Sequence, residues 1–178
     1  MEYNLADLYE AIADAVPDNV ALASGDVHHT YADLDKRANR LAHYLRSQGI
    51  GPGDHVGLHL FNGHEFVEAI LALFKIRAVG INVNYRFVGP EVRYMIVNGD
   101  LKGMITQRRF IPVINDANEG LEPLRPLIVI EDGSDAVSNQ ESIEYETAIA
   151  QGSEERGFGP RSGDDLYIIY TGGTTGMP

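Results

Sequence analysis

Leu127-Ile128-Val129-Ile130 has no polar residue at either parity. Successive side chains of a strand point to opposite faces, so a strand made of these four must be covered on both sides. Strands of that kind belong to parallel sheets, because the crossover that returns the chain to a parallel neighbour lays a helix over the sheet. The residues before it keep the same alternation. His55–Phe61, Gly80–Val83 and Gly103–Thr106 read as strands. His64–Arg77, Glu91–Asn98 and Phe110–Asn118 read as the helices between them, the second starting after Pro90. A βαβαβαβ order with short connections predicts an α/β fold, a mostly parallel sheet sandwiched by helices.

The first fifty residues follow another pattern. Leu5, Leu8, Ile12 and Val16 recur at helical spacing behind Asn4 as N-cap. Val20–Ser24 and Val27–Thr30 flank Gly25-Asp26, the signature of an N-terminal β-hairpin. Thr30 with Asp33 opens a second helix as a capping box, and Gly49 stops it. The organisation expected is therefore helix, hairpin and helix over 1–50, βα repeats over 51–131, a mobile surface excursion over 132–163 with one helix at Ile143–Ala150, and a strand with a loop over 164–178.

Charge and composition remove several function classes. A net charge of −12 over 178 residues argues against nucleic acid as a partner and against adsorption to anionic lipid. The basic cluster Lys36, Arg37 and Arg40 sits on a predicted helix and reads as a solvated face. With no cysteine there is no disulfide, thiolate nucleophile or cysteine zinc site, which fits a reducing cytoplasm. No transmembrane segment is expected, since the apolar stretch at Ala69–Phe74 is far too short to span a bilayer, and the first residues carry no secretory pattern.

Chemistry concentrates at the far end. Leu166–Tyr170 reads as a buried strand running into Thr171-Gly172-Gly173-Thr174-Thr175-Gly176. Glycine lets backbone amides close on a ligand, and threonine adds hydroxyl donors without charge. A strand followed by such a loop suits a polyphosphate. It is not a Walker loop, which needs a lysine after its last glycine, and neither Gly51-x-Gly53 nor Gly157-x-Gly159 completes a dinucleotide fingerprint. The histidines carry less. His55 and His59 would stand roughly 13 Å apart along one strand at about 3.3 Å per residue, too far for one metal. His64-Glu65-Phe66-Val67-Glu68 has Glu where a zinc-protease helix needs its second His, and His28-His29 reads as surface. No metal held by side chains is expected. The neighbouring acidic pairs Glu131-Asp132, Glu154-Glu155 and Asp164-Asp165 are not acid–base dyads by spacing.

At this loop the chain resembles the adenylate-forming superfamily of acyl- and aryl-CoA synthetases, luciferases and peptide-synthetase adenylation domains. Their phosphate loop reads Tyr/Phe-Thr-Ser-Gly-Thr-Thr-Gly-x-Pro-Lys-Gly. Residues 170–178 match it with Gly172 in place of Ser. His29-Thr30-Tyr31-Ala32-Asp33-Leu34 and Leu73-Phe74-Lys75-Ile76-Arg77-Ala78-Val79-Gly80 resemble two earlier family elements in the right order, and Asn82-Val83-Asn84-Tyr85-Arg86 is similar to the segment that follows in CoA ligases of the bacterial fatty-acid and steroid-acid type. The resemblance implies the first subdomain of a larger enzyme, an AMP-forming carboxylate–CoA ligase using ATP, Mg2+ and coenzyme A on a fatty or steroid acid. It implies phosphate contacts from Thr171, Gly172, Gly173, Thr174, Thr175 and Gly176. The lysine after the loop, the adenine and magnesium elements and the adenylation lysine are not among these 178 residues, so no catalytic residue is expected in them and they should be inactive alone. Open strand edges predict self-association or a loose tail over Tyr170–Pro178. An adenylation domain, a luciferase-like enzyme and a non-catalytic nucleotide-binding module share the loop and remain open.

Overall fold

Residues 3–171 are described by the computed structural model. Helix α1 (Leu5–Ala15) precedes an antiparallel hairpin, β1 (Val20–Ser24) and β2 (Val27–Thr30), and α2 (Tyr31–Ser47). Asn4 Oδ1 accepts from the Ala6 and Asp7 amides, and the Asp7 carboxylate accepts from the Asn4 amide. Thr30 and Asp33 exchange the same pair of bonds at α2. Both boxes satisfy amides that a first helical turn leaves open. The Thr30 hydroxyl and amide also hold the Asp33 carboxyl below its ordinary pKa. Gly25 takes a φ of 58° in the two-residue hairpin turn, a conformation side chains resist.

The main sheet follows: β3 (His55–His59), α3 (His64–Lys75), β4 (Val79–Asn82), α4 (Gly89–Asn98), β5 (Leu101–Gln107), a 3-10 turn (Arg108–Phe110), α5 (Ile111–Ala117), β6 (Leu127–Ile130), β7 (Ile143–Glu144) and α6 (Tyr145–Gln151). The strand order is β4-β3-β5-β6-β7, with every neighbouring pair parallel. Strand parity divides the interior in two. Val56, Leu58, Ile105, Ile128 and Ile130 pack with residues of α2, α3 and α6. Ile81, Met104, Leu127 and Val129 pack with residues of α4 and α5 on the other face. The chain steps from β3 to β4 through α3, then back past β3 to β5 through α4. Right-handed crossovers in opposite directions put those two helices on opposite faces. The α/β fold, parallel sheet, helical layers and hairpin thus agree with the sequence.

Several local expectations change. Leu166–Tyr170 is not a buried strand. It meets β4 through a single parallel bridge, Ile168 to Ile81, with the Ile168 amide donating to Gly80 O at 3.3 Å. At this edge Ile168 and Tyr170 pack toward the α4–α5 side and the Tyr167 ring meets Phe74 of α3, while Leu166 and Ile169 stay 60% and 62% exposed. The helix expected over Ile143–Ala150 begins at Tyr145, because Ile143 and Glu144 pair with Ile128 and Val129 of β6. In α1 the buried residues are Ala6 and Ala13, while Leu5, Leu8 and Ile12 are about half exposed. Nor is the basic cluster of α2 a free face. Arg37 pairs with Glu68 and Glu146, and Arg40 with Glu154, so two of the three cations fasten the 132–163 segment to the body.

Candidate functional site

The loops after β3, β4 and β5 meet at the carboxyl edge of the sheet. The chain leaves β3 toward α3 on one face and leaves β4 and β5 toward α4 and α5 on the other. Such divergence opens a crevice at the strand ends, the place where doubly wound sheets bind ligands. A cavity of about 360 Å3 lies there, lined by Leu60, Asn62, Asn82, Asn84, Arg86 and Tyr170 among others. Its wall continues into an aromatic cluster. Phe61 meets Tyr85 at 4.6 Å and Phe110 at 5.3 Å between ring centroids. The Arg86 guanidinium lies 5.2 Å from the Tyr85 ring, and that of Arg109 lies 5.5 Å from Phe61.

The two arginines differ in freedom. Arg109 Nε donates to Asp132 at 2.6 Å. Burial of Asp132 opposes its ionisation, but hydrogen bonds from Arg109 and Ser134 prevail and bring its pKa to about 2. Arg86 is exposed and has no carboxylate partner among the described residues. At the end of β3, His59 is fully buried and stacks on Phe110 at 4.6 Å, with neither ring nitrogen partnered among the described residues. Burial lowers its pKa to about 4, so it is a neutral imidazole.

Of the residues the sequence marks for phosphate, Thr171 is described and exposed, one residue beyond the cavity-lining Tyr170. Gly172, Gly173, Thr174, Thr175 and Gly176 lie outside the described residues. The parallel bridge at Ile168 runs the final segment alongside β4, so it arrives at the edge where the cavity opens. Nothing in the sequence marks Asn62, Asn82, Asn84, Arg86 and Arg109 as site residues. Their signal is position alone: each falls at or just beyond the carboxyl end of a strand.

A second polar cluster lies elsewhere. Glu68 of α3 is fully buried. Its Oε1 accepts from Arg37 Nε at 2.6 Å and its Oε2 from the Tyr145 hydroxyl at 2.7 Å. Burial, with the Glu68 charge beside it, pushes the Tyr145 phenol well above its usual pKa and keeps it a donor. The His29 ring packs against that of His64, tilted, at 4.7 Å between centroids, so His29 is not plain surface. On α1 and α2 a third group forms around Lys75, fully buried, whose ammonium donates to Glu10 and to Asp35 at 2.8 Å. Burial opposes ionisation of Glu10, but hydrogen bonds from Arg161 and Lys75 leave its pKa below the usual value.

A doubly wound sheet whose final described residues, Tyr170 and Thr171, arrive at its carboxyl edge is a scaffold that suits a nucleotide-using α/β enzyme. Sequence comparison narrows the class: the family model of the AMP-binding enzyme matches residues 9–178, and the chain belongs to that family. A 3-oxocholest-4-en-26-oate–CoA ligase of Rhodococcus rhodochrous is 51% identical over 179 residues, covering 100% of this chain and 32% of that protein. A medium/long-chain-fatty-acid–CoA/3-oxocholest-4-en-26-oate–CoA ligase of Mycobacterium tuberculosis (strain CDC 1551 / Oshkosh) is 45% identical over 98% of this chain and 32% of its own length. The chain thus spans about a third of the curated relatives it matches. Among solved structures, the N-terminal domain of FACL13 from Mycobacterium tuberculosis superimposes with a TM-score of 0.81 at 29% identity, over 100% of this chain and 43% of that one. The anthranilate CoA ligase AuaEII, solved with anthranoyl-AMP, shares the fold with a TM-score of 0.90 at 23% identity, over 99% of this chain and 34% of that one.

Proposed function

We infer that this chain is part of an ATP-dependent, AMP-forming carboxylate–CoA ligase, in which it supplies the phosphate loop and one wall of the active-site crevice. In such a reaction a carboxylate oxygen attacks the α-phosphorus of ATP and pyrophosphate leaves. The CoA thiolate then attacks the acyl carbonyl, and AMP leaves. The observation that carries the reading is the arrival of Tyr170-Thr171 at the carboxyl edge of the sheet, beside the cavity, in a chain of the AMP-binding family. The work expected of Thr171, Gly172, Gly173, Thr174, Thr175 and Gly176 is positioning and neutralisation of the β- and γ-phosphates by amides and hydroxyls, which is most of what phosphoryl chemistry asks of a protein. Magnesium would accompany the nucleotide, but the carboxylates nearest the strand ends, Glu131 and Asp132, are already tied to Arg108 and Arg109. Neither is free to hold it.

The relatives' names support a fatty or steroid acid, a carboxylate on a large apolar body, as substrate. A need for ATP and CoA supports a cytoplasmic reaction. The half-exposed α1 stripe and the exposed Val20 and Val27 of the hairpin support association of that surface with further protein, a second copy included. An adenylation domain is the second reading, favoured by 30% identity over 98% of this chain to N-(5-amino-5-carboxypentanoyl)-L-cysteinyl-D-valine synthase of Amycolatopsis lactamdurans, of which it spans 4%.

The test is ATP–pyrophosphate exchange by the full-length protein over short, long, aromatic and steroid acids, repeated with Thr174→Val and Thr175→Val. Each lost hydroxyl bond to a charged phosphate is worth about 1.5–3 kcal/mol, so exchange should fall roughly ten- to a hundredfold per substitution. Unchanged exchange in both variants overturns the role given to the loop. Exchange with an amino acid but no fatty or steroid acid selects the second reading.

A further inference from the structure

We propose that His29, His64 and Glu68 form a binding site for one divalent transition-metal ion, zinc by preference, that clasps the N-terminal hairpin to α3. His64 and Glu68 stand one helical turn apart on the same face of α3, the spacing by which a helix presents two ligands to one ion. His29 comes from the end of β2 and closes the triangle from another element. One ligand atom from each residue lies within 4.8 Å of the other two. Around a tetrahedral zinc bonded at 2.0–2.2 Å, ligand atoms stand about 3.4 Å apart. The gap to be closed is therefore on the order of an ångström, within reach of rotation of two half-buried imidazoles.

The surroundings fit ligation. His29 Nε2 is buried and has no partner among the described residues, so its lone pair or proton is unspent. His64 Nδ1 lies 3.4 Å from Glu65 Oε2. A proton held on that nitrogen leaves Nε2 as the free donor, as an outer carboxylate does for metal-bound histidines. Glu68 is held by Arg37 and the Tyr145 hydroxyl, one bond to each oxygen, and each oxygen keeps a second lone pair. Glu68 and Glu146 share the one Arg37 guanidinium and Glu65 lies beside His64, an acidic setting that suits a dication. Two imidazoles and one carboxylate select zinc, cobalt or nickel over magnesium or calcium, which take oxygen. Three protein ligands leave a fourth position for water.

The experiment is titration of the full-length, metal-stripped protein with ZnCl2 by calorimetry, and with CoCl2 by visible absorption. One equivalent should bind, the cobalt complex should show the intense d–d bands of a tetrahedral site, zinc should raise the melting temperature, and MgCl2 at the same concentration should do none of this. His29→Gln and His64→Gln should each weaken zinc binding at least tenfold while the metal-free melting temperature stays near that of the parent. His28→Gln, altering the exposed neighbour, should bind as the parent does. Absence of saturable one-to-one zinc binding by the folded parent overturns the proposal. So does zinc affinity that survives both His29→Gln and His64→Gln, which would place the ion on other histidines. Should the His29 variant lose its fold without metal, the partly exposed His64 decides alone. None of these readouts depends on ligase activity.

Discussion

His59 should act as an acid-sensitive weakness, removable by one substitution. Its ring is fully buried against Phe110 and neither nitrogen has a partner among the described residues, so protonation would place a bare cation in an apolar wall. Burial takes its pKa from the ordinary 6.5 to about 4. Between those values the unfolded chain binds a proton that the folded chain refuses, so stability falls as pH falls. The loss begins near pH 6.5, accumulates at about 1.4 kcal/mol per pH unit and stops near pH 4, where both states are protonated. Integrated over that window it comes to about 3 kcal/mol. Leucine fills a similar volume, cannot ionise and leaves no buried polar nitrogen. Urea unfolding of the parent and His59→Leu at about pH 7 and pH 4.5 isolates the term, since carboxylates titrating elsewhere cancel in the difference. The variant should gain on the parent by about 2–3 kcal/mol between the two conditions. A stability difference that does not move with pH would refute the reasoning. It would mean that the imidazole meets solvent or a hydrogen-bond acceptor in the folded state.

Two further substitutions probe how the helices are fastened. Lys75→Met removes the buried cation that faces Glu10 and Asp35, and although Arg161 and Arg156 also reach those carboxylates, the loss should cost about 3 kcal/mol in denaturant unfolding; a neutral outcome would mean that the arginines alone balance them. Gly152→Ala places a Cβ 1.9 Å from the Arg40 carbonyl oxygen, a backbone atom that cannot turn away, so α6 or α2 must shift and the melting curve should show a loss of about 1–3 kcal/mol; a variant as stable as the parent would show that the approach of the two segments is looser than it stands.

How much of this was legible depended on whether the governing interaction was local. The caps at Asn4 and Thr30 involve residues three apart, and the two-faced strand Leu127–Ile130 announces its burial in its own composition. The sheet order is one step less local, yet right-handed crossovers leave few alternatives. Structure departs from local pattern where a distant partner decides. Ile143 and Glu144 have nothing in their own sequence to stop them joining α6; the open edge of β6 claims them. Leu166–Tyr170 is apolar at both parities like Leu127–Ile130, but a segment at the open edge beyond β4 is only partly covered, and its position in the sheet is not written in its residues. Arg37 and Arg40 looked solvated because their acids, Glu68, Glu146 and Glu154, are 31, 109 and 114 positions away.

The same division runs through the site. The glycine–threonine loop is a local pattern, legible in six consecutive residues, and the phosphate role proposed for it asks only for backbone amides, hydroxyls and small neighbours. The crevice beside Tyr170 is assembled from three strand ends, and Asn62, Asn82, Arg86 and Arg109 gain meaning only when β3, β4 and β5 lie side by side. His64 and Glu68 illustrate the point most directly. On α3 they form half of a metal-binding pattern that lacks its second histidine, and the sequence gives no reason to look 35 residues upstream for His29. Folding the hairpin onto the helix brings that imidazole in, because Thr30 must cap α2 and the residue before a cap is carried with it.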